Sequence, residues 1–457
     1  MTFGPLFALF LAMTLACGSE EEACDPNAPE SCEGAQVCAG LPSGTFACVE
    51  TFVLQGTISD ALSGAPVEGA RIIARDANGA ARSDVARSDA AGRYSLPVAV
   101  ERSEEGEPGA ELGAVTLRVD AARYQTFPSG PRVALPIDLG AWMLREEEGY
   151  VVQDATTDVA LIPLGAEDST IMGRVDHPEA GGVLIVAIQG GTSVSTSVTS
   201  RNGEFLLFNV PSGETTVRGY REGISIVPQD VDSPADNIVL VTDSARLATV
   251  SGSISIVNAP GGAETSVILV PEETFDATAI RGEAVAGLRA APVTGAFEIE
   301  SVAPGRYAVL AAFENDFLVR DPDEGISGTD IVFIDVAAED ITLDTSFKVT
   351  EALRVVSPGA EGLERITAAP TLMWADDSSE DGYELRVYNA FGDLVFEDLD
   401  VPRVNGSDNV EYPLELSFES GMVYQFRAYS WREQGGSGER TYISSSEDLL
   451  GVFSYEE

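Results

Sequence analysis

The chain has 457 residues, 44% of them hydrophobic, and its 74 acidic against 27 basic side chains give a formal charge of −47. That length exceeds what one hydrophobic core usually serves, so roughly three to five domains are expected. The charge repels phosphate backbones and anionic lipid surfaces, which argues against nucleic acid as a partner. No internal apolar run approaches the roughly 20 residues of a membrane span.

Residues 5 to 16 form an apolar stretch of secretory length that ends in small residues before Cys17. Thr14-Leu15-Ala16-Cys17-Gly18 resembles the lipobox of bacterial lipoproteins, in which the Cys is diacylated and becomes the mature N-terminus. The resemblance implies a signal peptide over 1–16, lipidation at Cys17 and an acidic tether over 17–23. Gly18 and Ser19 follow, with no Asp of the kind that retains some lipoproteins at the inner membrane. The expected location is therefore the outer membrane or cell surface, facing either the periplasm or the exterior, with the membrane as partner through the anchor. The alternative is an ordinary secretory signal, with Cys17 removed or left as an odd thiol.

Cys24, Cys32, Cys38 and Cys48 fall within 24–50, a segment too short to bury its own core. Dense Cys in an exported protein normally means disulfides, so two bridges are expected, in a connectivity that spacing does not decide. Zinc is the rival reading. Its structural sites usually show close Cys pairs, and the spacings here are longer and irregular.

From Thr51 onward short alternating runs such as TFVLQGTISD, ARIIARD and AVTLRVD are punctuated by Gly, Pro and Asn-Gly. They predict an all-β chain of tandem sandwiches. One pattern recurs: SDAAGRYSLPV, SRNGEFLLFNVPSG and VTGAFEIESVAPGRY each place a turn Gly (Gly92, Gly203, Gly295) just before a strand that opens with an aromatic (Tyr94, Phe205, Phe297). The Gly residues are expected to supply positive φ, and each aromatic to plug the space between two sheets. With the preceding GTISDALSGAPVEGARIIARD, this pattern resembles the carboxypeptidase regulatory-like domain, a transthyretin-like sandwich also grouped with carbohydrate-binding-like folds. The copies would span 51–164, 168–243 and 246–347. An added stretch in the third, ETFDATAIRGEAVAGLRAAP, is expected to form a short helix. Residues 350–457 resemble a fibronectin type III domain, with Trp374 as a core Trp and Phe418 and Tyr424 at a corner where a Tyr hydroxyl bonds upstream backbone.

Catalytic chemistry finds little to work with. His177 is the sole His of the chain and, in the turn-like Asp176-His177-Pro178-Glu179, reads as a surface residue, which leaves no second His for a zinc site and only this one for a Ser-His or Cys-His nucleophilic system. The sole Lys, Lys348, makes the Lys–Asn self-crosslinks of related surface sandwiches impossible in the first two copies. Two acidic loops are calcium candidates, one through Asp321, Asp323, Glu324 and Asp330, the other through Asp376, Asp377 and Asp381. Trp142 and Trp431, in loop or strand-end settings, are the carbohydrate candidates. The function expected is a non-enzymatic, membrane-anchored lipoprotein: a stalk of four sandwiches for protein interaction or envelope structure, with a carbohydrate-binding lipoprotein as the alternative.

Overall fold

The computed structural model describes residues 24, 32, 36–110, 112–130, 132–165, 169–257, 259, 261–277, 281–311, 318–320, 331–377, 380–404, 409–433 and 440–457. Among these the chain is all-β, its helical content limited to short 3₁₀ turns, and no helix is long and apolar enough to cross a membrane. Among its described residues, the insertion expected to be helical holds a 3₁₀ turn only at its edge, Glu272–Thr274, and the strand Arg289–Val293 at its end. Its Gly282 and Gly287 lie inside what would have been the helix, where each Gly costs roughly 1 kcal/mol against Ala.

At the N-terminus the strands Gln36–Gly40 and Phe46–Glu50 form an antiparallel hairpin with Cys38 directly opposite Cys48. The two do not bond to each other. Disulfides join Cys24 to Cys38 and Cys32 to Cys48, so both strands are tied back to the chain that precedes them. A small core of Leu41, Ala47 and Val49 completes the unit.

Three sandwiches of shared wiring follow. In each, an opening strand pairs antiparallel with the aromatic-bearing strand and parallel with the last strand: Phe52–Asp60 with Arg93–Pro97 and Val159–Leu161, Ile171–Asp176 with Glu204–Leu207 and Ala235–Val241, and Ala248–Val257 with Ala296–Val302 and Ile341–Glu351. The register puts a glycine across from each aromatic: Gly56 faces Tyr94, Gly173 faces Phe205 and Gly252 faces Phe297. A Cβ at Gly173 or Gly252 would come within 2.8 or 2.7 Å of the opposing ring. The ring fills the space that the missing side chain leaves, which restores the packing a glycine otherwise forfeits in a strand. A second sheet closes each core, built around Arg71–Arg75 with Ala114–Asp120, Leu184–Gln189 with Gly213–Tyr220, and Thr265–Pro271 with Gly305–Ala311.

The fourth sandwich packs Val355–Ser357, Thr371–Ala375 and Asn409–Pro413 against a sheet centred on Gly382–Asn389 and Val423–Glu433. Trp374 is fully buried, edge-on to Tyr383 at 5.7 Å. The Tyr424 hydroxyl accepts a hydrogen bond from the backbone N–H of Glu419, 3.0 Å.

The sandwiches are not strung out as a stalk. The first touches all three others: Leu135 shares a core with Tyr388, Ala390, Val423 and Val452 of the fourth, and Ala80 shares one with Ile268, Val270 and Leu310 of the third. Leu184, Val186 and Tyr220 of the second join the core of the third. Burying apolar faces between sandwiches, at roughly 25 cal/mol per Å², is what a linear chain of separate domains would forgo.

Candidate functional site

Charged side chains occupy the place where the first three sandwiches meet. Glu283, from the insertion in the third, lies 2.5 Å from Arg75 and 2.5 Å from Arg118 of the first, and accepts from the Thr196 hydroxyl of the second, 3.1 Å. Arg118 is 2% exposed at its side chain and turns its other edge to Asp120, 2.8 Å. It also donates to the Thr196 carbonyl, 2.9 Å. Burial alone would raise the Glu283 carboxyl, but Arg118 and Arg75 hold it down at about 2. Burial likewise opposes the charge on Arg118, and Asp120 with Glu283 more than offset it, so its guanidinium is held above its ordinary value. Arg75 goes the other way: burial lowers it, with Glu283 supporting the charge and Arg118 opposing it. The arrangement ties three domains through one carboxylate; no nucleophile or proton-transfer pair is formed by it.

Further clamps surround this centre. Asn209, at positive φ, accepts from the Arg123 N–H at 2.7 Å and donates to the carbonyls of Ala121 and Tyr124 at 3.1 and 2.8 Å. Arg132 donates to the Phe391 carbonyl and lies 3.0 Å from Asp393, fixing the first sandwich to the fourth. Arg281 pairs with Asp448 across the third and fourth. Three open clefts lie between sandwiches: about 780 Å³ among the first, third and fourth, about 600 Å³ between the second and third, and about 560 Å³ between the first and second.

The residues singled out in the sequence are dispersed. Cys17, with Asp321, Asp323, Glu324 and Asp330 of the first calcium loop, lies outside the described residues. In the second loop Asp376 accepts from the Tyr383 hydroxyl at 2.7 Å, Asp377 from the Ser430 hydroxyl at 2.8 Å, and Asp381 from the Glu433 N–H at 2.9 Å. Glu380, not foreseen, is buried beside them, and its carboxyl is raised by burial and by the charges of Asp376 and Asp377. Among the described residues, the one group of three metal-ligating side chains whose atoms lie within 4.8 Å of one another is Cys24, Cys32 and Cys48, whose sulfurs are in the disulfides. Trp142 packs on the first core, edge-on to Tyr150 at 4.8 Å. The Arg440 guanidinium covers one face of Trp431 at 4.0 Å, and the Trp431 ring in turn lies over Gly382. The Nδ1 of His177 accepts from the Glu179 N–H in a turn, 3.1 Å.

What the sequence reading missed is the junction. Glu283, Arg75, Arg118 and Asn209 are scattered over the first three sandwiches and share no motif. One signal was available: Arg71, Arg75 and Arg118 are charged residues within strands whose neighbours are otherwise apolar, as in ARIIARD and AVTLRVD.

No protein-family model matches the chain, and no curated protein matches it. Solved structures that resemble it include the Bacillus anthracis TIE protein, 10% identical over 85% of this chain and 68% of that one, with a TM-score of 0.15. Two others are BcpA, the major pilin subunit of Bacillus cereus, at 10% identity over 66% and 100% with a TM-score of 0.16, and GBS52, the minor pilin of Streptococcus agalactiae, at 11% over 42% and 99% with a TM-score of 0.18. At these TM-scores the likeness carries no argument about function.

Proposed function

We propose that the protein is a non-catalytic scaffold, lipid-anchored through Cys17 at the outer membrane or cell surface, whose sandwiches act as one rigid body that presents its loops to a partner. The observation that carries this reading is the interlocking of the four sandwiches through buried side chains, centred on Glu283 between Arg75 and Arg118. Such a junction spends the buried Arg118 and the partly buried Arg75 and Glu283 on holding domains in register. The sole His sits in a surface turn, as a structural residue would. On this reading 51–164, 168–243 and 246–347 are carboxypeptidase regulatory-like sandwiches, and 350–457 is a fibronectin type III-like domain.

The same charge that argues against nucleic acid leaves any membrane attachment to acyl chains. A body at −47 has no affinity of its own for anionic lipid, so attachment depends on acyl chains. One chain binds reversibly, and two or more give lasting attachment. Cys17→Ser should therefore move the protein from the membrane fraction to the soluble fraction and abolish labelling by a palmitate analogue. Wild-type protein that is unlabelled and fully soluble would overturn the anchored reading.

A further inference from the structure

At the cleft between the first and second sandwiches two guanidinium groups, Arg71 and Arg87, meet without a salt bridge to either among the described residues. Arg71 stands directly opposite Arg87 in the antiparallel pairing of Arg71–Arg75 with Ala86–Arg87. Both side chains are therefore on one face, an arrangement that is destabilising for like charges. Arg71 is 4% exposed and donates to the Val198 carbonyl, 2.7 Å. Of the carboxylates whose charge reaches Arg71, Asp120 is paired with Arg118 and Asp84 with Arg201, and Glu204 lies on the facing wall opposite Arg174. Burial, with the charge of Arg87 next, pulls the Arg71 guanidinium down to about 10 against the opposing charges of Asp120, Asp84 and Glu204.

The facing wall of the cleft is the outer surface of the three-stranded sheet of the second sandwich. Met172 lies across from Leu206, and Arg174 lies between Glu204 on one side and Val239 on the other. Met172 is 43% and Val239 38% exposed. The cleft, about 560 Å³, falls within the roughly 300–1,000 Å³ of small-molecule sites. It thus joins three arginines, Arg71, Arg87 and the Asp176-paired Arg174, to an apolar strip, in a chain with 27 basic against 74 acidic side chains.

We propose that this cleft binds a small amphipathic carboxylate, its carboxylate held by Arg71 and Arg87 and its aliphatic chain laid over Met172, Leu206 and Val239. A planar carboxylate matches the guanidinium fork with two parallel hydrogen bonds, and it relieves the Arg71–Arg87 repulsion. Glu204 on the same wall disfavours a dianion such as phosphate more than it disfavours a single charge. The negative charge on the rest of the molecule does not forbid binding, because it is screened beyond roughly 8 Å at physiological salt.

The test is titration calorimetry of the purified full chain, in a detergent without a carboxylate, using octanoate and the uncharged octanamide. Octanoate is expected to bind at least ten-fold more tightly than octanamide. Arg71 also pins the two sandwiches together, so its loss would confound binding with folding; the exposed Arg87 is the informative position. Arg87→Gln should weaken octanoate at least ten-fold while the melting temperature of the free protein stays the same or rises, since a like-charge pair has been removed. A purely structural Arg87 would predict a lower melting temperature and unchanged binding. Equal binding of the two probes, no binding of octanoate, or full affinity in Arg87→Gln would each overturn the proposal.

Discussion

The carboxylate of Glu283 lies 2.5 Å from Arg118, 165 positions earlier in the chain and in a different sandwich. Arg118, 2% exposed, is not easily left alone at that depth, because an unpaired buried charge keeps its full desolvation penalty, and the partly buried Glu283 pairs with it. Glu283→Gln preserves shape and removes the charge that both Arg75 and Arg118 share. It is expected to destabilise the folded cluster by about 3–5 kcal/mol, the usual cost of breaking a buried pair from one side. Urea unfolding of the variant beside wild type measures this, and coincident midpoints would show that the junction does not contribute to stability.

The same carboxyl predicts an acid dependence. Arg118 and Arg75 hold it down at about 2 in the folded protein against an ordinary 4.5, so the folded state binds its proton less readily than the unfolded state does. The stability it contributes is fully present above pH 4.5 and is lost as pH falls toward 2. The difference in melting temperature between wild type and Glu283→Gln should accordingly shrink over that window. A difference that stays constant down to pH 2 would assign the stabilisation to shape instead of charge.

Gly173 offers a test of the repeated glycine–aromatic pairing. An added Cβ would lie 2.3 Å from the Ile238 carbonyl oxygen and 2.8 Å from the Phe205 ring, and the backbone oxygen has no rotamer by which to move aside. Gly173→Ala should cost about 1–3 kcal/mol by overpacking, and thermal unfolding reads it directly. Substitution at Gly190, where no atom lies within 4 Å of the added Cβ, is not a clean control because its φ is +61°. Gly165, with open space and no positive φ, serves instead, and Gly165→Ala should be near neutral.

The passage from the third to the fourth sandwich should resist proteases. Ile341–Glu351 is one strand, bulged between Thr342 and Ser346, and from Ser346 to Thr350 it pairs with Ser253–Val257 as it enters the junction. Just beyond it, Leu353 N–H donates to the Ser445 carbonyl, 2.9 Å, and the Ser444 hydroxyl to the Glu351 carbonyl, 3.0 Å. Backbone held in this way does not reach a protease active site without local unfolding. Limited proteolysis of the native protein should leave 346–352 uncut, and rapid cleavage there with release of two folded fragments would contradict the rigid junction.

The all-β character was legible because it depends on local pattern. Period-two runs such as RYSLP put Tyr94 and Leu96 inward and Arg93 and Ser95 outward, and a strand with one buried face has only that solution. The helix expected in the insertion of the third sandwich failed because its residues answer to distant partners: Glu283 is held by Arg75 and Arg118 of the first sandwich. Disulfides could be foreseen from Cys density, but not that Cys38 and Cys48, opposite each other in the hairpin, would each bond to an earlier Cys.

By itself, then, the sequence determined what nearest neighbours determine: strand period, the turns at Gly92 and Gly203, the threefold recurrence of an aromatic after a turn Gly, and two disulfides' worth of Cys. Tertiary structure decided which sandwich packs on which. That choice rests on pairs such as Arg118 with Glu283 and Leu135 with Tyr388, whose members are far apart along the chain and belong to no periodic pattern. A solvent-facing strand position and one that faces another domain carry the same alternation, so only the assembled surfaces distinguish a stalk from an interlocked cluster.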